Sequence, residues 1–369
     1  MSGSTTARVA PIEAVQVAAF TIPTSEPESD GTLEWDATTM VVVHVTGGGV
    51  TGIGYTYADP TAGSLVERVL SPAIRGLDIA DVEGCYAAMQ RTIRNLGRDG
   101  VVATAIAAVD IALWDAKAKL FDTPLLTLLG AARDSVPIYG SGGFTSYTVQ
   151  ALQTQLQDWA ARGIRAVKMK IGRDAAADDK RVRAARLAIG NDCALFVDAN
   201  GAYDRKLAVQ QAERFATDHV VWFEEPVSSD DLEGLRLLRD RAPRGMEIAA
   251  GEYGYDVQYF RRMLDAGAVD VLQADATRCC GITGFLRAGA LCDAFCLPLS
   301  AHTAPSIHVH PCCAVSRVRH LEYFYDHVRI EHMLFDGALE PVHGELRPDR
   351  SRPGLGIELK RQDAERFAV

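Results

Sequence analysis

AVKMKI (166–171), ALFVDAN (194–200), VVWFEEP (220–226) and EIAAGE (247–252) are short apolar runs, each closing on charged side chains. Lys168 and Lys170 close the first, Asp198 the second, Glu224 the third and Glu252 the fourth. The intervals are nearly even: 28 residues from Lys170 to Asp198, 26 from there to Glu224, and 28 on to Glu252. A strand with its crossover helix takes about that many residues, since two parallel strands need a connection of a dozen or more. Carboxylates at the C-terminal ends of successive parallel strands converge on one mouth, which is where barrels hold their chemistry.

The alternation extends in both directions. It begins with the strand VPIYGSGG near Val136 and continues past Glu252 through VDVLQAD and CLPLSAH, with amphipathic helices between. Seven strands reaching a polar end favour a closed barrel over an open doubly wound sheet. HLEYFYD (320–326) supplies an eighth strand or its replacement. Upstream, IEAVQVAAFTI, the polar stretch Pro23–Ala37 and TTMVVVHVTGGGVTGIGYTYA read as a three-stranded meander. Residues 64–129 then show helical periodicity, clearest over 101–121, with Gly130 as the C-cap.

With 369 residues the chain exceeds the size at which a single core usually stops growing, so two domains are expected. Its apolar (48%) and charged (23%) fractions are those of a folded soluble protein. The net charge of −10 argues against nucleic acid or an anionic membrane as partner, because both need a clustered positive face. No apolar run is long enough for a membrane span, and MSGSTTARVAPIEA lacks the apolar core of a signal peptide. A cytoplasmic location is the expectation. The eight cysteines include no CxxC pair and read as buried reduced thiols rather than a zinc site.

Asp198, Glu224 and Glu252 form an oxygen-only ligand set, which suits Mg²⁺ better than zinc. Lys168 and Lys170 lie two apart on a strand and so share a face; inside a barrel, each ammonium would lower the other's pKa toward that of a usable base. Asp275 in QADATR and His302 in SAH end the next two strands, and an Asp on a His fixes the tautomer and raises its basicity. Glu322 in HLE reaches the mouth from the last unit and donates a hydrogen bond if protonated.

Taken jointly, KMK, VDAN, WFEEP, GE, QADATR, SAH and HLE resemble the enolase superfamily, mandelate racemase subgroup, over nearly the whole chain. The resemblance implies a (β/α)7β-like modified TIM barrel over residues 134–335, an N-terminal α+β capping domain over 1–133, and a segment 336–369 returning to the cap. It implies Mg²⁺ on Asp198, Glu224 and Glu252, with Lys168, Lys170, Asp275, His302 and Glu322 as catalytic groups. Asn200 and Arg278 carry over as substrate contacts. The implied reaction begins with loss of the proton α to a carboxylate, with Lys170 on one face of the substrate and His302 on the other. A small-molecule carboxylate is then the partner, and a homo-oligomer the expected assembly.

Two features point to dehydration of an acid sugar. The polar segment Pro23–Ala37 lies where the family's capping loop covers the pocket, and Arg278 stands where mandelate racemases have lysine. Racemisation or epimerisation of a 2-hydroxy acid, and cycloisomerisation, are the alternative fates, with a catalytically silent scaffold outside the enzymes. GIGYTYAD departs from the family's frequent acidic GWGE-like string, which leaves Tyr55 and Tyr57 without an assigned role.

Overall fold

The computed structural model describes residues 10–369; the signal-peptide reading of the first nine residues lies outside the described part. Strands β1 (Ile12–Ser29), β2 (Glu34–Gly47) and β3 (Val50–Tyr57) form an antiparallel sheet in that order. Gly48 and Gly49, at φ +60° and +82°, make the two-residue turn between β2 and β3, which needs left-handed backbone at both positions. The helix Val101–Leu120 crosses the sheet at Gly52 and Gly54. A Cβ there would lie 2.1 Å from the Ala112 carbonyl and 2.2 Å from that of Ala108, so only glycine lets the helix approach. Gly130 ends the helical region at φ +87°, as expected.

The polar stretch Pro23–Ala37 is not a loop. β1 runs on to Ser29 and β2 starts at Glu34, so the segment is the bulged end of a hairpin, with the register shifting between Pro23↔Ala37 and Glu28↔Trp35. Asp30 shapes its turn by accepting hydrogen bonds from the amides of Thr32 (2.6 Å) and Leu33 (2.7 Å). Polarity on both faces hides such a strand from a pattern search, because no buried side marks the alternation.

The barrel strands are β4 (Val136–Gly142), β5 (Ala166–Lys170), β6 (Ala194–Asp198), β7 (Val220–Glu224), β8 (Glu247–Ala250), β9 (Val271–Ala274), β10 (Leu299–Ala301) and β11 (Val318–Phe324). All pair in parallel, and β11 closes onto β4 through Leu321↔Ile138. HLEYF is thus a true eighth strand. Thr148, Asp174, Asp204, Asp231 and Asp256 cap five of the outer helices by accepting from first-turn amides. Below the mouth the interior is filled by Tyr139, Phe196 and Trp222 around His320, whose Nδ1 lies 2.9 Å from Ser300 Oγ.

The helix Tyr325–Leu334 follows β11 and ties the barrel to the sheet. Thr38 Oγ1 donates to Asp326 at 2.5 Å, Tyr55 OH to Glu331 at 2.6 Å, and Arg329 to the Pro23 carbonyl at 2.7 Å. Tyr57 stacks on His327 with ring centroids 3.4 Å apart. The two tyrosines left without a role therefore serve this joint. Past it, the chain returns: Leu355 donates to the buried Asp115 carboxylate at 2.7 Å, and Val369 to the Ala19 carbonyl at 3.1 Å. Among the described residues no helix is long and apolar enough to cross a membrane. All eight cysteines are free thiols, and only Cys296 is exposed.

Candidate active site at the barrel mouth

Strand alternation aims Lys168 and Lys170 of β5 inward, and the tips of β6 and β7 carry Asp198 and Glu224 in register beside them. Glu252 follows β8, Asp275 follows β9, His302 follows β10, and Glu322 lies in β11. The structure brings all ten sequence-derived residues, Asn200 and Arg278 included, to one end of the barrel. Lys170, Asn200, Glu252, Arg278, His302 and Glu322 line a cavity of about 430 Å³, and the other four lie directly beneath.

Asp198, Glu224 and Glu252 each offer a carboxylate oxygen within 4.8 Å of the others, the only such group among the described residues. Glu252 Oε2 is buried without a hydrogen-bond partner. An all-carboxylate set with a free buried oxygen fits a hard divalent cation such as Mg²⁺. The charge balance agrees. Six buried carboxylates (Asp198, Glu224, Glu225, Glu252, Asp275, Glu322) meet three permanent cations (Lys168, Lys170, Arg278).

Lys168 Nζ contacts Glu224, lies 2.9 Å from Glu322 and 3.3 Å from Asp198; Lys170 Nζ lies 2.6 Å from Asp198. Burial alone would lower both lysine pKa values, but the surrounding carboxylates overcome it and hold both ammonium groups above the ordinary lysine range. The expected mutual lowering is therefore outweighed: Lys168 does lower Lys170, but by less than Asp198 raises it. Glu322 is likewise not a protonated donor. Burial raises its pKa, yet Lys168, His302 and Lys170 pull it down to about 2, so it is an ionised partner of Lys168.

On the other side of the carboxylate group, His302 Nδ1 lies 2.8 Å from Asp275 Oδ2. Its Nε2 points to the cavity, 3.3 Å from Glu252 and 3.7 Å from Glu322. Asp275 is held in place by the Thr277 amide and hydroxyl, both at 2.7 Å, and stays ionised because the hydrogen bond and charge of His302, then His308 and Arg278, outweigh burial. Arg278 donates to Glu252 at 3.2 Å, which makes it a brace for that carboxylate as well as a cavity wall. His308, unassigned in the sequence, accepts from the Ala276 amide at 2.7 Å and so fixes the loop that carries Asp275.

Glu225 was not legible as a site residue. On a regular strand it would face away from Glu224, but its φ of +37° turns it back among the carboxylates, where burial and then Glu252 raise its pKa well above the usual range. The Pro226 that follows is the only local sign of an irregular strand end.

The bulged hairpin roofs the cavity. Its tip is anchored by Thr145, which donates to the Ser29 carbonyl from its amide (2.8 Å) and to the Asp30 carbonyl from its hydroxyl (2.7 Å). Gly31 sits where a Cβ would be 2.4 Å from the Ala199 carbonyl. Inside the hairpin, Glu28 accepts from Trp35 Nε1 at 3.0 Å. Burial, then the charge of Asp326, raises its pKa to about 8 against the opposing pull of Trp35 and Arg329. A carboxyl raised on folding stabilises fully below its unfolded pKa and loses that contribution as pH climbs through the folded value. Hairpin amides should accordingly lose protection from hydrogen exchange between about pH 5 and 8, beyond intrinsic base catalysis. Glu28→Gln, measured by exchange mass spectrometry, should remove that dependence; an unchanged profile would contradict it.

Residues 15–130 match the model of the mandelate racemase / muconate lactonizing enzyme N-terminal domain, and residues 151–364 that of the enolase C-terminal domain-like region. A solved mandelate racemase/muconate lactonizing enzyme-like protein from Rubrobacter xylanophilus superposes with a TM-score of 0.95 at 54% identity, covering 97% of this chain and 100% of that one. L-talarate/galactarate dehydratase of Salmonella typhimurium is 32% identical over 85% of this chain and 78% of its own. Its structure with Mg and L-lyxarohydroxamate superposes with a TM-score of 0.91 at 29% identity, covering 100% of this chain and 95% of that one. The 3,6-anhydro-alpha-L-galactonate cycloisomerase of Streptomyces coelicolor is 34% identical over 87% of this chain and 89% of its own.

Proposed function

The chain belongs to the mandelate racemase/muconate lactonizing enzyme family of the enolase superfamily, and from that premise we propose that it is a Mg²⁺-dependent acid-sugar dehydratase. One observation carries the reading. Two proton-transfer groups, Lys170 and the His302–Asp275 pair, flank a buried three-carboxylate cluster at the floor of a roofed cavity. The dehydratase relative supports the outcome chosen.

Asp198, Glu224 and Glu252 would hold Mg²⁺. Bound there, the ion supplies Lewis-acid neutralisation of the charge that develops on the substrate carboxylate. Lys168, kept cationic by Glu224 and Glu322, adds a fixed positive charge beside it. Asp275 holds the proton of His302 on Nδ1, leaving Nε2 free to take or give a proton at the cavity. The configuration at the α-carbon decides whether Lys170 or His302 faces the α-proton; Lys170 takes it only as the neutral amine, a form that a divalent cation held by Asp198 would favour by offsetting the carboxylate charge that otherwise keeps the ammonium. As that C–H bond breaks, its electrons form a Cα–Cβ double bond and expel the β-hydroxyl, which leaves as water with a proton from protonated His302. The enol that remains ketonises to a 2-keto-3-deoxy acid. Arg278 and Asn200 orient the substrate, and the hairpin excludes bulk water.

Cycloisomerisation is the second reading, favoured by the Streptomyces relative. Family resemblance also carries a homo-oligomer, which sedimentation would report. The deciding experiment incubates the protein with Mg²⁺ and pooled mono- and diacid sugars in D₂O and follows ¹H NMR. A 2-keto-3-deoxy product is the expected result. Isomerisation or epimerisation without loss of water would replace dehydration with one of the alternatives.

A further inference from the structure

The cavity has two unlike ends. The cations of this cavity belong to its floor: Lys170, paired with Asp198 at 2.6 Å, and Arg278, whose Nη1 is paired with Glu252 at 3.2 Å. The roof is built by the sheet and its hairpin through Asp30, Trp35, Thr38, Thr39, Tyr57 and Asp59. No lysine or arginine from the sheet or hairpin reaches it among the described residues.

Hydrogen-bond donors on this roof are spent within the protein. Trp35 Nε1 goes to Glu28 at 3.0 Å, Thr38 Oγ1 to Asp326 at 2.5 Å, and Tyr57 OH to the His327 carbonyl at 3.4 Å. Thr39 Oγ1 shares a 2.9 Å hydrogen bond with Thr21 Oγ1, in which either hydroxyl can donate. His327, which also lines the cavity, has its pKa pushed well below the usual histidine range, first of all by burial. What the roof leaves free are acceptors. Asp30 is only 8% exposed; its Oδ1 is engaged by the turn amides, but no donor among the described residues reaches its Oδ2. Asp59, an exposed residue of the cavity lining, accepts from the Thr61 amide through Oδ1 at 2.9 Å.

A substrate whose reacting carboxylate sits at the floor therefore meets carboxylates at its far end. Hydroxyl groups there would donate to Asp30 and Asp59, whereas a second carboxylate would find no donor on the roof and be repelled by both. We propose that the substrate is a monocarboxylate, an aldonic acid with an uncharged polyhydroxyl tail, and that Asp30, seconded by Asp59, excludes aldaric diacids. This rests on the dehydratase reading for the orientation of the substrate and departs from the diacid named for the Salmonella relative.

The test takes the Mg²⁺-loaded protein and matched pairs of one stereochemistry, such as gluconate with glucarate and galactonate with galactarate. Dissociation constants come from calorimetry, and α-deuterium exchange is followed in parallel. Every pair that binds should favour the monoacid by at least about tenfold, the size of effect one like-charge contact commonly carries. Asn at both positions keeps the Oδ1 acceptors that shape the turn and the rim. The double variant Asp30→Asn/Asp59→Asn should therefore fold and shift the ratio by at least about fivefold toward the diacid, chiefly through diacid binding. Diacids that bind equally or better, a ratio unmoved in the double variant, or no binding by any pair would each overturn the proposal. Monoacid-selective binding without exchange or turnover would uphold it and sink the dehydratase reading instead.

Discussion

For a substrate whose α-proton faces Lys170, His302→Asn and Lys170→Met are each expected to lower kcat/KM by about 10²–10⁴ while leaving the fold intact, the range removed with a positioned acid or base. Neither variant strands a buried charge. Without His302, Asp275 still accepts from Thr277 twice and lies 3.7 Å from Arg278 Nε. Without the Lys170 ammonium, Asp198 keeps Lys168 at 3.3 Å and the Asn200 amide at 2.9 Å. Melting temperatures should therefore move by only a few degrees. The informative readout is α-proton exchange in D₂O, because it isolates the first proton transfer from loss of the hydroxyl. With a substrate whose α-proton faces Lys170, exchange should vanish in Lys170→Met. In His302→Asn, exchange should persist while dehydration is lost, since the departing hydroxyl has no acid. Full exchange in both variants, for both α-configurations, would remove these residues from the proton-transfer roles.

The barrel and its acidic rim are legible in the sequence because two periodicities coincide there. A parallel strand buried on both faces is a short apolar run, and its C-terminal end is the first place where water or a ligand can meet a charged side chain. Asp198, Glu224 and Glu252 are conspicuous since each follows such a run at one βα interval. His302 stands out from its neighbours for the same reason. His308 and His320 lie within a helix and at the start of a strand, and there they do structural work.

What escapes the sequence is whatever depends on through-space charge or on irregular backbone. Two lysines on one face suggest mutual repulsion, but the sign of their shift is set by Glu224, Glu322 and Asp198, which lie up to 154 residues away in the chain. The ionisation of Glu322 follows from the same contacts. Glu225 joins the cluster only through a left-handed φ, and the roof is strand rather than loop only because Glu28 and Ser29 find partners in Trp35 and Glu34. A strand with polar side chains on both faces carries no period-two signal.

Glu224→Gln is expected to weaken Mg²⁺ binding by at least about 100-fold, since even residues behind a metal ligand commonly cost 10–100-fold. At an ion concentration about 100 times its Kd, the wild-type protein gains about 2.7 kcal/mol from binding; a 100-fold weaker site gains about 0.4 kcal/mol. For a domain of 150–250 residues, 1 kcal/mol corresponds to about 2–4 °C. Mg²⁺ should therefore raise the melting temperature of the wild type by several degrees and that of the variant hardly at all. The metal-free proteins should differ little. Glutamine still offers an acceptor to Trp222 Nε1, which donates to Glu224 at 2.9 Å, and Lys168 keeps Glu322. The lost contact with Lys168 is offset because Glu224 is itself disfavoured by burial and by the charges of Asp198, Glu322 and Glu252. Removing a carboxylate from a site with more buried anions than fixed cations relieves repulsion when no divalent ion is present, and removes attraction when one is. Calorimetry and melting curves on both proteins, with and without Mg²⁺, separate these terms independently of any substrate. An undiminished Mg²⁺ response in the variant would show that the ion binds elsewhere.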